Sequence, residues 1–151
     1  MVIISLAIAF AFVFPSYFFD YKNDTNRRLG DFVKALKQLE ADDYRAAMAD
    51  TYGGKTPQET LLMYIQAIEK GDYVLASKYF IGQKQEEELE GFQKPATEED
   101  KRRYIKILSS LHEDGYNNDK ERFNMRANLD GPDFFASFKK YPNGIWKIIE
   151  I

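Results

Sequence analysis

The chain contains no cysteine. That excludes disulfide scaffolds, thiol catalysis, cysteine-ligated zinc and a lipid-modified cysteine. A single histidine, His112, excludes any multi-histidine metal site. Basic charge is not in excess either, with 21 Lys and Arg against 24 Asp and Glu. Phosphate binding needs a concentrated basic surface. The one run of three cations, Lys101, Arg102 and Arg103, directly follows Glu98, Glu99 and Asp100. That pattern is a mixed, solvated helix face, so no nucleic-acid partner is expected. No metal or cofactor is expected.

Long apolar runs are also scarce, with one exception. Residues 2–19 are apolar except for Ser5, Pro15, Ser16 and Tyr17, and no charge interrupts them. At about 1.5 Å per residue, roughly 18 helical residues cover about 27 Å, near the ~30 Å hydrocarbon thickness of a bilayer. Tyr17, Phe18, Phe19 and Tyr21 cluster where a headgroup interface would lie. A cleaved signal peptide would need a basic start and a small-residue cleavage site after its apolar core. Ala7-Ile8-Ala9 and Ala9-Phe10-Ala11 come too early, and no cation precedes them. A buried helix would not be apolar on every face in so polar a chain. Residues 1–19 are therefore expected to be a retained single-pass anchor, with the membrane as partner. Lys22, Arg27 and Arg28 come after the span, and the positive-inside rule alone would leave the remainder of the chain in the cytoplasm. Asp20 and Asp24 dilute that signal.

Beyond the anchor, residues 26–48 have helical periodicity, with Leu29, Phe32, Val33, Leu36 and Leu39 on one stripe. Gly53-Gly54-Lys55 breaks it, and residues 20–55 read as a juxtamembrane helix and linker. Thr56-Pro57-Gln58-Glu59 then opens a helix. Threonine is the cap, proline fits the first turn, and Glu59 can reach back to close a capping box. Gly71 ends that helix and Asp72 caps a second one, whose inward residues are Leu75, Ala76, Tyr79 and Phe80. An acidic stretch, 85–90, forms a further turn or two of helix. Thr97 caps the next helix, with acids in its first turn and Tyr104, Ile105, Leu108 and Leu111 facing inward. His112 is placed at that helix's end, and 115–119 is turn-rich.

The period then shifts from about 3.6 to 2. Phe123, Met125, Ala127 and Leu129 alternate with polar neighbours, which predicts a half-buried strand over 121–129. Turns at 130–133 and 142–144 separate it from strands at 134–141 and 145–151, giving an antiparallel meander. Helices followed by strands specify an α+β fold.

Thr56-Pro57-Gln58-Glu59-Thr60, Tyr64-Ile65-Gln66-Ala67-Ile68, Lys70-Gly71-Asp72-Tyr73 and Lys78-Tyr79-Phe80 together resemble the opening of nuclear transport factor 2-like domains. These are also called cystatin-like or SnoaL-like folds. The terminal Gly144-Ile145-Trp146-Lys147-Ile148 is similar to the last strand of such domains. The resemblance covers about 56–151 and is closest to small bacterial envelope proteins. It implies a curved antiparallel sheet wrapped on helices as a cone-like roll, with a pocket between them, on the extracytoplasmic side. It implies no activity, because that superfamily spans enzymes, adaptors and domains without known chemistry.

Candidate chemistry is sparse. His112, beside Glu113 and Asp114, is the only imidazole available as a general base. Glu86, Glu87, Glu88 and Glu90 could meet a hard cation, yet no calcium-loop spacing accompanies them. Residues 114–119 fail the spacing and glycine position of such a loop. Aromatic residues make up 15% of the chain, enough either to line an apolar pocket or simply to build the core. The pocket candidates are Tyr64, Phe80, Phe123 and Trp146, with Tyr104 or Arg126 as the polar contact and Phe135 and Phe138 nearby. No catalytic residue is assigned. The expected function is a membrane-anchored, non-enzymatic binding or interaction domain for a protein or a small apolar ligand. A small pocket enzyme of isomerase or hydrolase type is the first alternative. A helical-repeat scaffold is the second, suggested by an echo between 36–47 and 65–76.

Overall fold

A computed structural model describes the backbone of residues 2–117, 120–127 and 133–151, with side chains from residue 24 onward within those ranges. The chain forms two compact units, Met1–Arg45 and Ala46–Ile151. Helix α1 runs Val2–Ala49. Among the described residues no helix is long and apolar enough to cross a membrane. The apolar run expected as an anchor, 1–19, lies outside the residues whose side chains are described.

Among its described residues the second unit is α+β, with the four helices that follow α1, a 3-10 turn and a four-stranded antiparallel sheet. Helix α2 (Pro57–Glu69) starts where capping chemistry places it: the Thr56 side chain accepts from the Glu59 amide, and Pro57 occupies the first turn. Glu59 reaches back one residue further than a standard box, its carboxylate accepting from the Lys55 amide at 2.7 Å. Asp72 caps α3 (Tyr73–Lys78) through the Leu75 amide. A 3-10 turn, Gly82–Lys84, leads into α4 (Gln85–Phe92). Helix α5 (Glu98–Ser109) opens with a complete capping box between Thr97 and Asp100.

The strands are β1 (His112–Tyr116), β2 (Arg122–Ala127), β3 (Phe134–Lys140) and β4 (Trp146–Glu150), paired in chain order. Three of them fall where alternation predicts. The expected turn at 130–132 and the end of the 121–129 strand lie outside the described residues. Strand β1 corrects the reading of His112 as a helix end and of 115 and 116 as turn, while 118 and 119 of the expected turn lie outside the described residues. Helix α5 stops at Ser109, where the Ser109 and Ser110 hydroxyls donate back to the Ile105 and Ile107 carbonyls. His112 then pairs with Arg126 in the sheet. Polar His-Glu-Asp carries no strand pattern of its own; β2 imposes the extended form, and Gly115 at φ 130° absorbs the bulge.

The inner sheet face presents Phe123, Met125, Ala136, Phe138, Trp146 and Ile148 to the helices, joining α2 residues such as Tyr64 and Ile68 in one core. This arrangement is not the repeated helix pair that a solenoid requires, so the helical-repeat reading is set aside.

Strand β4 is tied on its free edge. The Trp146 amide donates to the Gly54 carbonyl, the Ile148 amide donates to Tyr79, and the Ile81 amide donates to Ile148. Thr60, fully buried, accepts from the Gly54 amide and donates to the Trp146 carbonyl, both at 2.9 Å. Lys147 is 0% exposed. Its ammonium donates to Asp50 Oδ2 at 2.7 Å, to the Tyr52 carbonyl at 2.8 Å and to the Lys78 carbonyl. All three protons are therefore used. Asn143, in the β3–β4 turn, adds a bond from its amide nitrogen to the Asp50 carbonyl at 2.6 Å. Residues 46–55, read as helix end and linker, thus belong to the second unit.

Removing Asp50 while keeping Lys147 leaves a buried cation uncompensated. Asp50→Ala is expected to lower stability by about 3 kcal/mol, measured by urea unfolding. Lys147→Met, which strands only a partly solvated carboxylate and two carbonyls, is expected to cost less. A Cβ at Gly53 would stand 2.4 Å from the Trp146 carbonyl oxygen. Gly53→Ala is therefore expected to lose about 1–3 kcal/mol in the same assay, whereas Gly82→Ala, which meets nothing within 4 Å, should not suffer that clash.

Candidate functional site

The six residues singled out from the sequence fall into three places. Tyr64 on α2 and Phe80 after α3 are both fully buried and meet edge to face, with ring centroids 5.4 Å apart. The Tyr64 hydroxyl lies 3.1 Å from that of Tyr104 on α5. Phe123 on β2 and Trp146 on β4 form a second cluster, 6.4 Å between rings, against which Tyr116 of β1 packs from the exposed side. Arg126 joins neither. It lies on the opposite sheet face, across from Phe135 and His112, and pairs with Asp114 at 3.4 Å. Period-2 alternation accounts for this: Met125 and Ala127 point into the core, so Arg126 cannot.

The first cluster is the more polar. Helix α4 leans on it through Phe92, whose ring stacks on Tyr73 at 4.8 Å and tilts against Tyr64 at 6.5 Å. Gln85 anchors the start of α4 by donating to the Phe80 carbonyl and accepting from Lys78. Of the four glutamates in the acidic stretch, Glu86, Glu87 and Glu90 are exposed and Glu88 is half-buried toward the tyrosine pair. Burial raises the Glu88 carboxyl above the ordinary glutamate value; Glu87 adds to this and Lys84 opposes it. Burial likewise raises both tyrosine hydroxyls, so they remain protonated donors rather than bases. The two phenols share one hydrogen bond, leaving one O–H to be directed elsewhere.

At the other cluster, Gln58 of α2 donates to the Glu113 carboxylate of β1. His112 is exposed on β1. Among the described residues, no group of three or more His, Asp or Glu side chains converges to hold a metal ion. Nor, among them, does any buried side-chain nitrogen or oxygen lack a hydrogen-bond partner. Lys147, the most deeply buried charge, does not stand out in the sequence because alternation along β4 assigns it to the outer, solvated face. Burial pushes its ammonium below the ordinary lysine value, and Asp50 opposes that shift.

Comparison with protein-family models, curated proteins and solved structures gives no match.

The raised Glu88 value fixes a sign. Folding penalises the ionised carboxylate, so this group's contribution to stability is full below the unfolded value near 4.5 and is lost as pH rises through the folded one. Glu88→Gln is expected to raise the melting temperature at pH 7 and to lose that advantage below pH 4. A lower melting temperature at pH 7 would show that the carboxylate makes a favourable contact there.

Proposed function

We propose that the chain is a single-pass membrane protein that carries a small, non-enzymatic binding or interaction domain on the extracytoplasmic side. In this reading residues 1–19 are the anchor, the juxtamembrane helix runs on from residue 20 to about 45, and 46–151, with 46–55 drawn into the unit, is a cone-like roll of the nuclear transport factor 2-like kind. The anchor rests on the uncharged apolar run and its aromatic end. The outward placement rests on the resemblance to envelope domains, against the cations at 22, 27 and 28.

One observation carries the non-enzymatic reading. Five of the six candidate pocket residues pack against other aromatic rings or hydroxyls, and four of these five lie in the buried core. Tyr104 meets that core from its partly buried rim. An enzyme site instead needs a group of shifted pKa within reach of a space for substrate. Glu88 beside the Tyr64–Tyr104 pair is the one arrangement that favours the alternative, a small pocket enzyme.

Alkaline carbonate extraction and protease treatment of intact cells test the two halves of the proposal separately. The chain should stay with membranes after extraction, and the domain should be digested by added protease. Release by carbonate removes the anchor; protection of an otherwise membrane-bound chain moves the domain to the cytoplasmic side.

A further inference from the structure

Helix α1 leaves an apolar stripe uncovered: Leu29, Phe32, Val33, Leu36 and Leu39 are 41–60% exposed. Leu29 and Leu36 take the a positions of a heptad, and Phe32 and Leu39 the d positions. The charges around this stripe are unevenly placed. Segment 24–45 holds five cations and five acids, yet four of the cations precede residue 38 and three of the acids follow residue 39. Residues 24–38 thus carry a net charge of +2 and residues 39–45 a net charge of −2. Intrahelical pairs use Asp24 with Arg27 and Arg28, and Asp42 with Arg45, but leave one half of the segment basic and the other acidic. A balanced net charge also does not suit a helix lying on a lipid surface, which is typically rich in Lys and Arg.

A second copy running the opposite way satisfies both the stripe and the charges. We propose that α1 self-associates as an antiparallel two-fold pair centred near residue 34. Leu29 then meets Leu39 of the other copy, and Phe32 meets Leu36, giving four apolar layers. Arg28 faces Asp42 across the seam, and the two-fold axis repeats the pair. Both side chains are exposed and hold only short-range partners within their own helix, Asp24 and Arg45. Asp43, the next a position, falls opposite Thr25. A parallel pair would instead set Asp43 against Asp43 at a seam position. The proposal stands on segment 25–43 and not on the anchor reading. If the anchor reading also holds, straight helices upright in one bilayer cannot pair this way, and the partners must come from facing bilayers or bend between residues 20 and 24.

The absence of native cysteine makes the test direct. Single-cysteine variants of the full chain in mild detergent are treated with a short bis-maleimide, with Lys37→Cys on the outer face giving the background. Val33→Cys, beside the two-fold axis, should link to itself. Leu29→Cys should not, but should link to Leu39→Cys when the two are mixed. In the Val33→Cys background, Arg28→Asp should cut the yield several-fold and adding Asp42→Arg should restore it. Efficient self-linking of Leu29→Cys would overturn the proposal in favour of a parallel pair. Background yields at every position would overturn it in favour of lipid or another protein on this face.

Discussion

The Lys147 ammonium is the point on which the second unit depends. Taking an ion of this size out of water is costly, by several kcal/mol even after relaxation. The fold offsets this by bringing three acceptors to it: a carboxylate from the end of α1, a carbonyl from the following loop and a carbonyl at the end of α3. They come from two stretches, 50–52 and the end of α3, that are distant in sequence from each other and from β4. Each must be in place before the charge is satisfied, so the lysine acts as a register pin for segments that carry few apolar residues of their own. The same strand is pinned at its flanks through Thr60 and the Tyr79–Ile81 bridge. A sheet edge that would otherwise be open is thereby closed.

That constraint also marks where the sequence stops being legible. Local signals are legible: the caps at Thr56, Asp72 and Thr97, the break at Gly71 and the strands from 122, 134 and 146 all follow from short-range rules. Strand β1 is not, because His-Glu-Asp-Gly-Tyr has neither alternation nor β propensity and is held extended by β2. Lys147 is not, because burial on the outer sheet face depends on residues 50–52, nearly a hundred positions earlier. The candidate site divides along the same line. The pairing of Phe80 with Tyr64, and of Phe123 with Trp146, follows from amphipathic patterns; the exclusion of Arg126 follows from strict alternation. The electrostatic influence of Glu88 on Tyr64 and Tyr104 needs three helices in place at once.

The aromatic content has a simple physical account. A unit of about a hundred residues has a poor ratio of volume to surface, and large rings bury more area per residue than aliphatic chains. Tyr64, Phe80, Phe123, Phe138 and Trp146 supply that area with few side-chain torsions to freeze. Tyr64 also carries a hydroxyl that must be paired when buried, and Tyr104 pairs it from the half-exposed rim. The tyrosine pair is therefore explained as core chemistry before any ligand is invoked.

The two units differ in how completely they satisfy themselves. In Ala46–Ile151 the buried polar atoms that are described all find partners, and the inner sheet face is covered. In Met1–Arg45 the described apolar stripe is open, and the charges beside it divide into a basic half and an acidic half. Exposed apolar surface that a unit cannot cover itself is where association lowers free energy most. An interaction role for this chain is thus better sought on α1 than in the interior between α2 and the sheet. That interior is occupied by the rings that hold the domain together.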